Sequence, residues 1–260
     1  MSFLIPDWPA PLNVRALFTD RHGGVSLAPY NSLNLGDHVG DQTESVSINR
    51  EILSKRIQGE PIFLNQVHGV DAIKLDKKSL DGTSADACFT EEKELACTIM
   101  VADCLPILLA DRMGRRIAAA HAGWRGLAGS RGWGVVESVV KSFMQPSATL
   151  LNGIEPEDIF VWLGPCIGPK AFEVGGEVRD IFIGHSRNNE ALFQPSGSPN
   201  NNKWLADLGG LARLRLNDLG IVHIFGNNGT DGWCSFMNSN FFSYRRDRLT
   251  GRMAACIWLT

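Results

Sequence analysis

The sequence predicts a mixed α/β protein: a sandwich of mixed sheets with helices outside them. Two observations carry that expectation. Short β-type runs outnumber helical segments, and they come in clusters instead of alternating one for one with helices. The runs lie at 14–18, 62–67, 72–75, 95–101, 107–110, 117–120, 159–163, 221–225 and 254–259. Helical periodicity is read at three places. The first helix is expected to start at Asp41, with Glu44 three residues on as a capping-box partner and Val46, Leu53 and Ile57 on one face. The second spans 130–143, where Val135, Val136, Val139, Val140 and Phe143 form one stripe, and the third spans 206–219. Residues 186–204, rich in Asn, Ser, Pro and Gly, read as a surface loop within one domain covering 1–260.

Composition narrows the function. The chain has 260 residues, 44% of them hydrophobic, and a net charge of -3. Its 25 basic residues are outnumbered by 28 acidic ones, so a nucleic-acid polymer is not expected as a partner. Pro6, Asp7 and Pro9 break up the N-terminal segment, which therefore does not read as a signal peptide. Asp103 and Pro106 interrupt the oiliest stretch, 95–110, too early for a membrane span. A cytoplasmic location is expected. The six cysteines form no CxxC pair and four lie in apolar runs, so no disulfide framework is expected.

The segment "VADCLPILLADRMGRRIAAAHAGWRG" puts Cys104 at the end of one apolar run and His121 at the end of the next, and upstream "IFLNQVHG" ends a third run in His68, so three strand ends are expected to carry potential ligands. Strand alternation would put Gln66 and His68 on one face and Ala102 and Cys104 on one face. If the strands are neighbours, His68, Cys104 and His121 converge at one sheet edge. Two imidazoles and a thiolate are a three-ligand set with an open fourth position, as in a catalytic zinc site. Two His and one Cys also make a blue-copper core. A multicopper enzyme needs several imidazole-rich centres, however, and six histidines without an HxH pair favour zinc over copper.

Three further segments read as binding loops. Residues 20–41 offer Arg21 and Asn34, residues 163–178 place Lys170 after a Gly/Pro turn around Cys166, and residues 240–259 crowd Arg245, Arg246, Arg248 and Arg252 near Phe241, Phe242 and Tyr244. There is no Walker loop, no GxGxxG after a strand and no GxSxG elbow.

The motifs "TDRHGGVS", "PYNSLNLGDHVGD", "NQVHG", "SADACFT", "ADCLPILLAD", "AAAHAGWRGL", "GPCIGPKAFEV" and "FFSYRRDRLTGRMAACIWL" fall in order along nearly the whole chain. Together they resemble the laccase-domain family, also called the multicopper polyphenol oxidoreductase-like or peptidoglycan editing factor family. The resemblance implies a zinc site and catalytic centre made by His68, Cys104 and His121. It implies purine nucleoside phosphorolysis (adenosine, inosine, guanosine, methylthioadenosine) with adenosine deamination beside it, so that the partners are small nucleosides and phosphate. The fold it implies is shared with cytotoxic-necrotizing-factor-type deamidases. For such chemistry Arg21 and Arg245 are candidate phosphate or ribose contacts, while Gln66, Asn34 and Lys170 are candidate ligand contacts. Two alternatives stay open: a Cys104–His121 amidase acting on a peptidoglycan precursor, and a non-catalytic zinc-binding module.

Overall fold

The alternate cores entered by residues of one fully buried strand decide the layering. In the computed structural model, which describes residues 3–57, 59–197 and 201–260, the elements run β1 (Phe3–Leu4), β2 (Val14–Thr19), α1 (Thr43–Ile57), β3 (Glu60–Phe63), β4 (Ala72–Lys74), β5 (Ala87–Thr90), β6 (Leu95–Val101), β7 (Leu105–Asp111), β8 (Ile117–Ala122), α2 (Trp124–Ala128) and α3 (Val135–Met144). They continue with β9 (Ile159–Leu163), β10 (Glu173–Gly175), α4 (Gly176–His185), β11 (Phe193–Pro195), β12 (Lys203–Ala206), α5 (Leu208–Asp218), β13 (His223–Gly226), α6 (Tyr244–Asp247) and β14 (Met253–Leu259). Along β14, Met253, Ala255, Ile257 and Leu259 enter one core, while Ala254, Cys256 and Trp258 enter another. Both faces are therefore covered, which is why the strand reads as an unbroken apolar run.

A five-stranded sheet, ordered β1-β2-β14-β6-β3, faces a six-stranded sheet ordered β13-β9-β7-β8-β5-β4. Both mix parallel and antiparallel pairs: β3 with β6, β4 with β5 and β9 with β13 are parallel. Between the sheets lie Phe18, Cys97, Ile99, Ala119, Leu108 and Trp162. α1 covers the outer face of the smaller sheet through Leu53 and Ile57. α3 and α5 cover the outer face of the larger one, where the alanines of β8 leave room for Val136 and Val140. This four-layer order is the sandwich of mixed sheets with outer helices expected from the sequence.

Several element boundaries differ from the expectation. α1 begins after Asp41, whose carboxylate accepts from Asn34 Nδ2 at 2.9 Å and from the Gln42 amide at 2.8 Å. The expected helix at 130–143 starts only at Val135; Gly134 sits where a Cβ would lie 2.3 Å from the Leu127 carbonyl, and its amide donates to Glu137 Oε2 at 2.7 Å. Of the expected loop 186–204, residues 187–192 form a 3-10 turn and β11 and β12 form a small three-stranded sheet with β10. Its residues 198–200 lie outside the described residues.

Candidate functional site

The carboxylate of Asp86 organises the site. Asp86 lies immediately before β5 and is fully buried. It accepts the consecutive amides of Val67, His68 and Gly69 at 3.1, 3.0 and 2.6 Å. It also contacts His121 Nδ1 at 2.8 Å, and its backbone carbonyl accepts the His121 amide at 2.7 Å. Three orphan N–H groups and one imidazole thus converge on one anion. This explains why His68 is not at a strand end. The strand expected at 62–67 stops at Phe63, whose amide goes to Asp81 at 2.8 Å, and the chain leaves the sheet to wrap Asp86. His68 itself holds the left-handed φ of 58°, a conformation costing about 1 kcal/mol or more that the carboxylate contacts offset.

Cys104 likewise precedes β7 instead of ending an apolar strand, after a turn in which Asp103 has φ 92°. His121 sits within β8, and its side chain follows Ile117 and Ala119 toward the layer between the sheets. The three side chains meet at one end of the sandwich. Cys104 Sγ is 3.6 Å from His68 Nε2, and the two imidazole centroids are 4.7 Å apart at 72°. One ligand atom from each lies within 4.8 Å of the others, the one group among the described residues close enough to hold a metal ion. Gly123 closes the cradle: a Cβ there would lie 2.7 Å from His68 Cδ2 and 2.9 Å from Cys104 Sγ.

Electrostatics set the proton positions. Burial pushes the Cys104 thiol up, but the charge and hydrogen bond of His121, with those of His68, outweigh it and bring the thiol down to about 6. Burial pulls His121 down, yet the Cys104 thiolate and Asp86 together raise it to about 9. Without a metal the pair is therefore thiolate and imidazolium at neutral pH. Asp86 stays anionic: burial raises its pKa, and His121 with the loop amides more than reverses that.

The group opens into a cavity of about 410 Å³ whose walls include Phe172, Tyr244, Arg125, Arg245, Arg252 and His38. Asp103 ties those walls together. Its carboxylate accepts from Ser235 Oγ at 2.6 Å, Ser243 Oγ at 2.7 Å and the Arg245 amide at 2.6 Å, and its carbonyl accepts the Ile167 amide at 2.8 Å. Of the substrate-contact candidates, Gln66 and Arg245 line this cavity and Arg21, Asn34 and Lys170 do not. Gln66 spends its carboxamide on both backbone groups of Met100, at 2.8 Å each. Arg21 stacks on Phe242 and donates to the Asn31 carbonyl. Asn34 is buried and holds the Gly36 and Arg252 amides, and Lys170 pairs with Asp231 at the surface.

Comparison with known proteins agrees with this architecture. Residues 15–260 match the family described as multi-copper polyphenol oxidoreductase laccase. The chain belongs to that family. Among relatives in the laccase-like family, a Pseudomonas aeruginosa protein named purine nucleoside phosphorylase is 46% identical over 99% of this chain and 98% of its own. The Escherichia coli K12 protein named purine nucleoside phosphorylase YfiH is 45% identical over 99% of each chain. The crystal structure of a Neisseria meningitidis member, NMB0706, superposes with a TM-score of 0.89 at 43% identity, covering 100% of this chain and 99% of that one. A Bacillus licheniformis YfiH structure gives 0.84 at 27% identity, covering 95% and 93%. The family's fold is thus the mixed-sheet sandwich described above. No helix among the described residues is long and apolar enough to cross a membrane.

The residues of this cluster that sequence reasoning did not single out are Asp86 and Asp103. Asp86 stood inside "SADACFT" as an ordinary acidic residue. The signal that could have found it is an aspartate directly before a small-residue strand, a place where a buried carboxylate needs several donors.

Proposed function

We propose that the chain is a purine nucleoside phosphorylase, with adenosine deamination as a companion activity, acting in the cavity above His68, Cys104 and His121. The observation that supports this most is that two imidazoles and a depressed-pKa thiol open into a cavity with aromatic and cationic walls. The names of the relatives agree with it. We read the unit as one domain over 1–260 and, from its unpaired cysteines, as cytoplasmic.

The donor set suits zinc: N, N and S atoms, a carboxylate fixing one imidazole, and a glycine that leaves room for His68 and Cys104 to approach. A zinc ion held by His68, Cys104 and His121 would supply Lewis acidity to the cavity. The chain's own residues do the rest. Phe172 and Tyr244 offer faces for the planar base, which leaves with the C1′–N9 electron pair, and the guanidiniums in the wall supply positive charge for an anionic reactant. Asp86 directs His121 Nδ1 away from the cavity and leaves Nε2 facing it.

The test is chromatography of adenosine or inosine incubated with and without phosphate. The expected result is free base and ribose 1-phosphate only when phosphate is present, and inosine from adenosine without it. Lack of any nucleoside turnover by zinc-loaded protein overturns the reading.

One observation favours a second reading. Asp86, His121 and Cys104 stand in the order orienter, base and nucleophile, with the thiol already depressed to about 6. A Cys–His amidase has no need of His68. Full activity of His68→Ala on an amide substrate, with no action on nucleosides, selects that reading.

A further inference from the structure

Charged side chains half-buried in a protein normally meet an opposite charge, because taking an ion out of water is costly. Three arginines elsewhere follow the rule: the buried Arg116 meets Glu91, the buried Arg215 meets Glu137 at 2.8 Å, and the partly exposed Arg246 meets Asp247 at 2.8 Å. Half-buried Arg21 and Arg213 instead spend their guanidiniums on backbone carbonyls. The cavity differs in setting two guanidiniums without a carboxylate in one wall. Arg245 and Arg252 line its wall half-buried, and neither makes an ion pair with a carboxylate among the described residues. Arg245 donates from Nη1 to the Glu173 carbonyl at 2.9 Å and lies over Phe172. Arg252 donates from Nη1 to the carbonyls of Thr250 and Gly251 at 3.1 Å each. In both residues Nε and Nη2 have no hydrogen-bond partner within the described chain. The one carboxylate in the cavity wall, Asp103, is already taken up by two serine hydroxyls and the Arg245 amide.

The aim of Arg252 is built in. Its stem packs beside Gly36, where a Cβ would lie 2.7 Å from Arg252 Cγ, and its amide is held by Asn34 Oδ1 at 2.8 Å. Arg252 lines the same cavity as His68, Cys104 and His121, and while burial pulls its guanidinium pKa down, Cys104 and Asp103 push it back up. Exposed Arg125, stacked on Trp124 at 4.4 Å, adds a third cation without a carboxylate partner at the rim, and His38 a titratable neighbour.

We infer that Arg245 and Arg252 form a phosphate-group site in this cavity, with their unused Nε and Nη2 atoms holding the anion's oxygens. The forked geometry of a guanidinium matches two oxygens of one phosphate, and two such forks match a dianion better than a carboxylate. The inference deepens the phosphorylase reading and rests on it for its biological sense: the anion would be the attacking phosphate, held near the nucleoside whose base lies against the aromatic wall. The same chemistry would also take the esterified phosphate of a nucleoside monophosphate, so the two sources must be separated.

The experiment is calorimetric titration of the full-length, zinc-loaded protein with inorganic phosphate and, separately, with adenosine 5′-monophosphate, followed by phosphate-dependent kinetics. Arg252→Gln and Arg245→Gln are each expected to weaken phosphate binding about tenfold or more, and to raise the KM for phosphate while the KM for nucleoside moves less than about twofold. Arg252→Lys keeps the charge and loses the fork, and is expected to fall between wild type and Arg252→Gln, which separates a lost contact from a lost fold. Arg248→Gln, outside the cavity, serves as the control and is expected to change neither constant. Orthophosphate binding lost in the two variants identifies the co-substrate. Monophosphate binding alone, lost in the same variants, upholds the site with an esterified phosphate as its ligand. Unchanged phosphate and monophosphate affinity in both variants, or no binding of either by wild type, overturns the inference. If phosphate binds as expected but no nucleoside turns over, the phosphorylase reading fails and the anion site stands.

Discussion

The cysteines between and behind the sheets and the cysteine at the end of the sandwich are chemically opposite, although both environments withdraw them from water. Burial raises Cys97, with its neighbour Cys88 adding to the effect, and pushes Cys256 up to about 12. Cys166, only a short distance from the cavity along the wall, is raised as well, first by burial and then by Asp207. Cys104 alone is brought down, to about 6. The difference is not exposure but company: two imidazoles, one of them held by an anion that also gathers three backbone amides. The thiol is brought down beside a His121 whose positive charge the Cys104 thiolate and Asp86 together sustain.

Removing the company should remove the contrast. The largest expected effect is on metal content: His68→Ala, Cys104→Ala and His121→Ala should each abolish stoichiometric zinc, about one ion per chain in tag-free wild type, as read by elemental analysis. Full occupancy in all three variants would mean that no site exists there. Asp86→Asn should follow, with zinc affinity falling about 10- to 100-fold in competition with a chelating dye, because the partner that fixes His121 and the 67–69 loop has lost its charge.

Alkylation sharpens the comparison in metal-stripped protein. Cys104 has its pKa depressed, so its thiolate persists above about pH 6 and disappears below it. His121 is raised to about 9, so its positive charge is present across the same interval and lost above it. Iodoacetamide labelling of Cys104, mapped by mass spectrometry, should therefore stay fast from about pH 6.5 upward and fall as pH drops through 6, with Cys97 and Cys256 unlabelled throughout. Labelling that rises only near pH 8–9 would show an ordinary thiol. The smallest effect is expected at Cys256→Ala, which should lower thermal stability by about 1–2 kcal/mol through lost packing and leave zinc content unchanged.

Much of the framework was legible in the sequence because it depends on short-range pattern. The 95–101 run is β6 to the residue, and the Val135–Phe143 stripe does face the core. What pattern could not show was where strands stop for reasons lying far away. Phe63 ends β3 because Asp81 takes its amide, and the 67–69 loop exists because a carboxylate 17 to 19 residues on collects its donors. The trio stood out because His and Cys at the margins of apolar runs are chemically conspicuous. Asp86 did not, since an aspartate is ordinary until its surroundings are known. Arg21, Asn34 and Lys170 shared one appearance, polar groups in glycine-rich loops, and the structure gives them partners on the protein itself.

The position of β14 in the centre of its sheet has a consequence for how the molecule is made. Strand β14 pairs with β2 on one side and β6 on the other, joining Leu259 to Val14 and Met253 to Val101. A ribosome releases β2 and β6 long before the strand that belongs between them, so the nascent chain carries two open, strongly apolar edges. Arg245 and Arg252 lie just ahead of that strand, so the part of the cavity wall that they form is synthesised after β2 and β6. Slow closure of such distant partners is expected from loop entropy, and a chaperone that shields apolar strands during synthesis would find its substrate in these two edges.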